Sequence, residues 1–324
     1  MNDTIRSIFA RPADGGARPR VRINDVVMRD GFQMEAQFVP TEDKVRLAEL
    51  LAEAGCAKIE VSSFTSPKAI PSLRDAEAVF GQIRRKPGTV YTALVPNMRG
   101  AERALESRVD EFNLVMSVSE THNRVNLRMT REQSFAQLRE VIALAKRHGV
   151  AVNVSLSTCF GCPMEGDVPQ DAVLHWVGRF AELGVTGLTP CDTTGMANPA
   201  QVRALCAAIL AAHPGMDLTL HFHNTRGMGL ANALAALDAG VTSFDASLGG
   251  LGGCPYAPGA TGNVTTEELV HMLELMGYDT GVDVDRLLEA ARLLPQMVGH
   301  DVPSQLVKAG KVDTRHPAPC PTVP

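Results

Sequence analysis

The sequence predicts an α/β protein: a (β/α)8 TIM barrel with additional C-terminal helices. Three observations predict it. Short apolar, strand-like stretches alternate with longer helical ones, eight times along the chain. Helical stretches stop at a glycine just before the next strand-like run, as at Gly55, Gly149, Gly184 and Gly240. The strand-like runs end in polar residues, which is where a barrel of this kind keeps its reacting groups. A doubly wound open sheet is the alternative for the same alternation.

Taken in order, the first strand-like stretch runs from Arg22 to Met28 and meets Arg29-Asp30-Gly31. Thr41 can cap the following helix, whose apolar face is Leu47, Leu50, Leu51 and Ala54. The second strand runs from Lys58 to Phe64, and Pro67 starts the next helical stretch. The third runs from Val90 to Val95 and stops at Pro96-Asn97. The fourth runs from Glu111 to Val118, with His122 and Asn126 in the loop beyond. A long helical pattern from Thr130 to His148 leads to the fifth strand, Val150 to Leu156. A helix from Pro169 to Leu183 leads to the sixth, Gly187 to Asp192, which contains Pro190. After a helix from Pro199 to Ala212, the apolar run Leu218-Thr219-Leu220 opens the seventh strand and closes on His221-Phe222-His223-Asn224. An Ala/Leu-rich helix from Gly227 to Ala239 precedes the eighth strand, Ser243 to Leu248. Thr265 to Met276 is the last helix of the series. Asp283 to Leu294 and Pro303 to Lys311 read as extra helices. The expected organisation is a flexible arm over 1–20, a catalytic barrel over 21–280, a helical extension over 281–311 and a Pro-rich tail over 312–324.

Composition narrows the function. A net charge of -5 with 5% aromatic residues argues against a nucleic-acid surface, which needs a basic stripe and stacking rings. No apolar run approaches the roughly 20 residues of a membrane span, so no membrane association is expected. The seven cysteines are scattered and no secretory leader precedes them, which reads as reduced thiols in a cytoplasmic protein. Cys159-Phe160-Gly161-Cys162 imitates a redox or zinc motif but has no second pair to complete it.

The chemistry is expected at the strand ends. His221 and His223, two apart on a strand, face the same way with Cα atoms roughly 6–7 Å apart, and two imidazoles can converge on one ion. Asp30 at the end of the first strand can supply an oxygen ligand and Asn263 an amide oxygen. Two nitrogens and two oxygens leave two octahedral positions open, which suits Mg²⁺ or Mn²⁺ holding a chelating substrate. Zinc would fit less well without thiolates. Arg29 beside the ion suits a developing enolate or a carboxylate. Glu60, Asn97, Ser157 and Asp192 stand at other strand ends. The loop from Gly249 to Gly262 has six glycines and lacks a P-loop lysine. It reads as a lid that carries Cys254 to the substrate, where a thiol can donate or accept a proton.

These motifs resemble a known family. Val27-Met28-Arg29-Asp30-Gly31-Phe32-Gln33, the run from Ile59 to Lys68, Leu94-Val95-Pro96-Asn97, the run from Gly161 to Gly166 and, most specifically, the loop from Gly250 to Asn263 resemble 3-hydroxy-3-methylglutaryl-CoA lyase. The Arg-Asp-Gly motif is shared with a wider group of metal-dependent barrels that includes isopropylmalate and homocitrate synthases. The resemblance covers about residues 21 to 300. It implies a divalent-metal-dependent retro-Claisen cleavage of a 3-hydroxyacyl-CoA to acetyl-CoA and a keto acid such as acetoacetate, the chemistry of leucine degradation and ketone-body formation. It implies Asp30, His221, His223 and Asn263 as metal ligands, Arg29 as the enolate stabiliser, Cys254 as the proton donor, and Glu60 and Asp192 as supporting acidic groups. Gln33, with Arg29, Asn97 and Ser157, is assigned to the substrate, His221 to catalysis as well as to the metal, and Glu267 to a supporting place behind the metal. A homo-oligomer, a dimer, is expected. Residues 24–28 and 32–35 depart from the family pattern and border the substrate. They leave open a different branched 3-hydroxyacyl-CoA, or condensation in the manner of the related synthases, though the short C-terminal extension and the Cys254 loop favour the lyase.

Overall fold

The structure, a computed structural model, describes residues 18–253 and 262–315. Among these, the strands are β1 Arg22–Asp25, β2 Lys58–Ser63, β3 Val90–Leu94, β4 Glu111–Ser117, β5 Ala151–Ser157 and β6 Gly187–Asp192. β7 comes in two pieces, Asp217–Leu218 and Leu220–Phe222, and β8 is Ser243–Ala246. All pairings are parallel. They run in chain order from β1 to β7, continue from β7 to β8, and close with β8 beside β1. The two pieces of β7 both pair with β6, so the sheet is an eight-stranded closed barrel.

Helices cover its outside. They are α1 Thr41–Ala54, α2 Ala76–Gln82, α3 Met98–Glu106, α4 Glu120–Leu127, α5 Arg131–Arg147, α6 Gln170–Glu182, α7 Pro199–Ala212, α8 Gly229–Asp238 and α9 Thr266–Leu275. Beyond the barrel come α10 Val284–Ala291, α11 Leu294–Val298 and α12 Gln305–Ala309. No helix among the described residues is long and apolar enough to cross a membrane. The outward-facing strand residues Ile23, Ile59, Leu114, Val154 and Leu188 form one apolar core with Leu47, Leu51, Val141 and Val177 of the helices.

The barrel interior, by contrast, is polar. Asn24, Lys58, Glu60, Thr92, Asn113, Asn153, Thr189 and Asp245 meet there. Asn153 Nδ2 donates to Asn113 at 3.0 Å and to Thr189 at 2.9 Å, so these buried groups satisfy one another.

Several elements differ from expectation. The first strand ends at Asp25 rather than Met28; residues Val27–Gly31 form a single π-helical turn in which the Val26 carbonyl accepts from the amides of Arg29, Asp30 and Gly31. The apolar character of Val26, Val27 and Met28 does not distinguish a strand from a buried turn. Thr41 does not cap α1; its hydroxyl donates to Asp75, and Pro40 holds the cap position. Pro67 starts no helix; a 3-10 turn at Pro71–Leu73 precedes α2. Helix α3 was not anticipated, and α4 occupies what was expected to be a loop. The eighth strand stops at Ala246. Thr130 does cap α5, through a capping box with Gln133, and Gly55 ends α1 in the left-handed conformation that favours glycine.

Candidate active site

The π turn after β1 is what brings the site together. By widening one turn it sets consecutive residues, Arg29 and Asp30, at the mouth of the barrel rather than on opposite faces of a strand. Both line a cavity of about 360 Å³, together with Gln33, Ser157, His221, His223 and Gly253. Arg29 Nε donates to Glu60 Oε2 at 2.5 Å and its Nη1 to the Asp30 carboxylate, so the guanidinium ties the π turn to the middle of β2, where Glu60 lies rather than at the expected strand end. Glu60 is itself fixed by Asn113 Nδ2 at 2.7 Å. Burial raises the Glu60 carboxyl above its ordinary range, and Arg29 offsets part of that rise.

Asp30, His221 and His223 each offer a ligand atom, and these atoms lie within 4.8 Å of one another. The two imidazole rings are 5.2 Å apart between centroids, and His223 Nε2 lies 3.6 Å from Asp30 Oδ2. Burial alone would raise the Asp30 carboxyl, but Arg29 and the two histidines hold it well below the usual range. Burial pushes His223 down to about 4, so it is a neutral imidazole at neutral pH. Burial also opposes charge on His221, but a hydrogen bond with Asp245 and the Asp30 charge outweigh it and raise its pKa.

Asn263 reaches the site from the far side of the glycine-rich loop. The segment after Gly262 runs beside the end of β7: Asn224 N donates to Gly262 O at 2.8 Å, and Asn263 bridges to His223. Asn263 Nδ2 donates to Asp30 Oδ2 at 2.7 Å and to Leu251 O at 3.0 Å, while its Oδ1 is buried without a hydrogen-bond partner. A buried amide oxygen left unsatisfied beside a carboxylate and two imidazoles is the arrangement a divalent cation would complete. The donor set is therefore compatible with a hard divalent ion.

Gly252 is required by this packing. Its φ is +108°, and a Cβ there would lie 2.5 Å from Asn263 Nδ2 and 3.1 Å from Asp30 Oδ2.

Not every expected residue lines the cavity. Asn97 instead accepts from Gly100 N at 3.0 Å as the cap of α3, and faces a neighbouring cavity. Asp192 is buried under the rim, flanked by the cavity residues Cys191 and Thr193. Its Oδ1 accepts from Met196 N at 2.7 Å, its Oδ2 has no hydrogen-bond partner, and burial pushes its pKa up to about 6. Glu267 does not contact the histidines. It accepts from Gly249 N through both oxygens, at 3.2 and 3.1 Å, and so holds the base of the glycine-rich loop. Cys254 lies outside the described residues.

One group, Asp245, escaped the sequence reading, and His122, read as a residue of the loop after the fourth strand, was given no role there. Asp245, on β8, is paired in register with both His221 and Asn24; its Oδ2 is 3.3 Å from His221 Nδ1. Such a contact fixes the imidazole tautomer and leaves Nε2 for a ligand. The signal was an acid placed in the strand beside the H-x-H strand. His122, on α4, lines the cavity and its Nδ1 is 2.6 Å from Ser117 Oγ.

Known proteins resemble this chain over most of its length. A hydroxymethylglutaryl-CoA lyase of Bacillus subtilis is 45% identical over 292 residues, covering 90% of this chain and 98% of that protein. The 3-hydroxy-3-isohexenylglutaryl-CoA/hydroxymethylglutaryl-CoA lyase of Pseudomonas aeruginosa is 39% identical, covering 90% of this chain and 97% of that protein. An HMG-CoA lyase of Acinetobacter baumannii, solved in complex with coenzyme A and 3-methylmalate, superposes with a TM-score of 0.89 at 48% identity, covering 92% of this chain and 98% of that one. The HMGL-like family model matches residues 20–294, and the chain belongs to the HMGL-like family.

Proposed function

We propose that this protein is a hydroxymethylglutaryl-CoA lyase that cleaves 3-hydroxy-3-methylglutaryl-CoA to acetyl-CoA and acetoacetate. The observation that carries the reading is the convergence of Arg29, Asp30, His221 and His223 on one cavity, with the unsatisfied Asn263 oxygen beside them. Asp30, His221, His223 and Asn263 would hold a divalent cation, Mg²⁺ or Mn²⁺, which when bound lowers the pKa of a coordinated hydroxyl.

The rest of the chemistry falls to the chain's own groups. The C3 hydroxyl gives up its proton, the C2–C3 bond breaks, and its electron pair passes to the thioester as an enolate while C3 becomes the ketone of acetoacetate. Arg29 stabilises the enolate oxygen, and Glu60 and Asn113 hold the guanidinium in place so that it need not reorganise as charge develops. The hydroxyl proton passes to water in the cavity, and Asp192, buried under the rim with a partnerless Oδ2, is assigned as a supporting acidic group. Cys254 is assigned, on its sequence context, to return a proton to the enolate carbon and complete acetyl-CoA. Gln33 and Ser157 on the cavity wall are assigned to orient the acyl group. The reaction is proposed to run in the cytoplasm.

The test is direct. Purified protein loaded with Mg²⁺ is incubated with 3-hydroxy-3-methylglutaryl-CoA, and acetyl-CoA and acetoacetate are quantified. Equimolar release supports the reading; release from a different branched 3-hydroxyacyl-CoA alone would reassign the substrate, and no release from either would overturn it.

A further inference from the structure

The oxygen ligands come from opposite ends of the barrel sequence. Asp30 stands with Arg29 on the π turn after β1, and Asn263 stands between Gly262 and α9. The two segments meet directly, since Asn263 Nδ2 donates to Asp30 Oδ2 at 2.7 Å. A third side chain, Asp25, joins the same segments. It is the last residue of β1, is fully buried and does not line the catalytic cavity. Its Oδ1 accepts at 2.9 Å from the amide of Val27, where the π turn begins. Its Oδ2 accepts from Leu248 N, just past β8, at 3.0 Å, and from the hydroxyl of Thr266, the first residue of α9, at 2.6 Å. Backbone bonds from Ser247 N to Val264 O and from Thr266 N to Ser247 O already join the end of β8 to the start of α9. The Asp25 carboxyl adds the π turn to that pair.

Burying a carboxyl is costly, and burial pushes this one up to about 7 although its three donors draw it down. An apolar side chain would avoid that cost, but it would leave the Val27 and Leu248 amides without these acceptors and the turn untied. Groups that act on one ion or one substrate must be held within about 0.5 Å of the productive geometry by what supports them. We propose that Asp25 is a positioning residue, which fixes the π turn against the start of α9 so that Asp30 and Asn263 are spaced for one divalent ion and Arg29 for the enolate. It acts through other residues, because its hydrogen bonds go to the backbone and to Thr266 and not to the ligands. The part that concerns Arg29 rests on the lyase reading; the part that concerns the ion rests on the cluster of Asp30, His221 and His223 alone.

The test uses the full chain, wild type and the variants Asp25→Asn, Thr266→Val, Thr266→Ser and the pair Asp25→Asn with Thr266→Val. An asparagine offers one acceptor oxygen in place of two, so it keeps the size of Asp25 but sets an NH2 against at least one of the donors. Thr266→Val removes one donor and keeps the shape, and Thr266→Ser keeps the donor. Calorimetry of Mn²⁺ binding to the metal-free proteins reads the ion site without turnover. Steady-state kinetics on 3-hydroxy-3-methylglutaryl-CoA at saturating Mn²⁺ separate kcat from KM, and thermal melts read stability. In Asp25→Asn and in Thr266→Val the expected result is ion binding weakened about tenfold, kcat lowered about tenfold and KM within about twofold of wild type. Thr266→Ser should restore wild-type values, and the pair should be no worse than Asp25→Asn alone, since both changes break one contact. A fall in melting temperature with ion affinity and kcat unchanged would overturn the proposal, as would losses that simply add in the pair. If Asp25→Asn does not fold, Thr266→Val against Thr266→Ser decides: equal ion affinity in the two overturns the proposal, and weaker binding in the valine variant alone supports it. Wild-type protein that binds Mn²⁺, and loses affinity in the variants, but cleaves no ester would overturn the lyase reading and leave the positioning of the ion site standing.

Discussion

Arg29 sits between two carboxylates, Asp30 and Glu60, and faces the same cavity as the two histidines. A guanidinium held this way is preorganised, and its worth appears only when negative charge develops on the substrate. Arg29→Gln is expected to lower kcat by about two to three powers of ten, because an oxyanion-type contact contributes about 3–4 kcal/mol, while metal affinity stays within a few-fold. Steady-state kinetics with a parallel metal titration check both halves; a kcat within a few-fold of wild type would make Arg29 a strand-end ion pair only. Asp245 acts one step further out. Asp245→Asn removes the charge behind His221 Nδ1, and should weaken divalent-ion binding by about 10–100-fold with little change in melting temperature, as read by calorimetry on the metal-free protein. An unchanged affinity would leave Asp245 with a packing role. The cluster of Asp30, His221 and His223 was legible from H-x-H and the Arg-Asp-Gly run after the first strand. Asp245 was not, because nothing within one strand reveals which residue of its neighbour lies beside it in register.

The glycine-rich loop has its base fastened at the level of elements. The backbone amide of Gly249, after β8, donates to Glu267 at the start of α9, and Ser304 ahead of α12 donates its amide to Gly249 O at 3.3 Å. Gly262 closes the arch so tightly, at φ +105°, that a Cβ would meet Gly250 O at 2.0 Å. Burial raises the Glu267 carboxyl to about 7 from an ordinary 4.5, partly offset by its hydrogen bonds. A raised folded-state pKa means the folded protein holds its proton more tightly, so the contribution to stability is complete below about pH 4.5 and is lost as pH rises to 7. Glu267→Gln should therefore flatten the fall in melting temperature across that window relative to wild type, as thermal melts at several pH values would show; parallel curves would contradict the assignment. The strands were readable from apolar runs and their glycine stops. The π turn was not, since its apolar residues look like strand, and α4 was not, since Glu120-Thr121-His122-Asn123 carries no apolar period.

Over the whole molecule, the apolar core lies between barrel and helices, while the barrel lumen is a polar network leading up to the site. The C-terminal helices are part of that core rather than an appendage. Leu294 and Val302 pack against Gly249, and a Cβ at that glycine would lie 2.7 Å from Leu294 Cδ1. Leu294→Ala, at a fully buried position, is expected to cost about 2–5 kcal/mol in denaturant unfolding and to loosen the loop base above it; a cost below about 1 kcal/mol would show the extension to be dispensable.

Turnover is expected to depend on an ion held by Asp30, His221 and His223. This dependence is tested most directly by stripping the protein of metal and following acetyl-CoA release from 3-hydroxy-3-methylglutaryl-CoA as Mg²⁺ or Mn²⁺ is added back, for wild type and for His223→Ala. The expected result is no turnover in stripped protein, saturable recovery in wild type, and recovery in the variant only at far higher ion concentration. Full turnover after exhaustive chelation, or identical titrations for the two proteins, would contradict it.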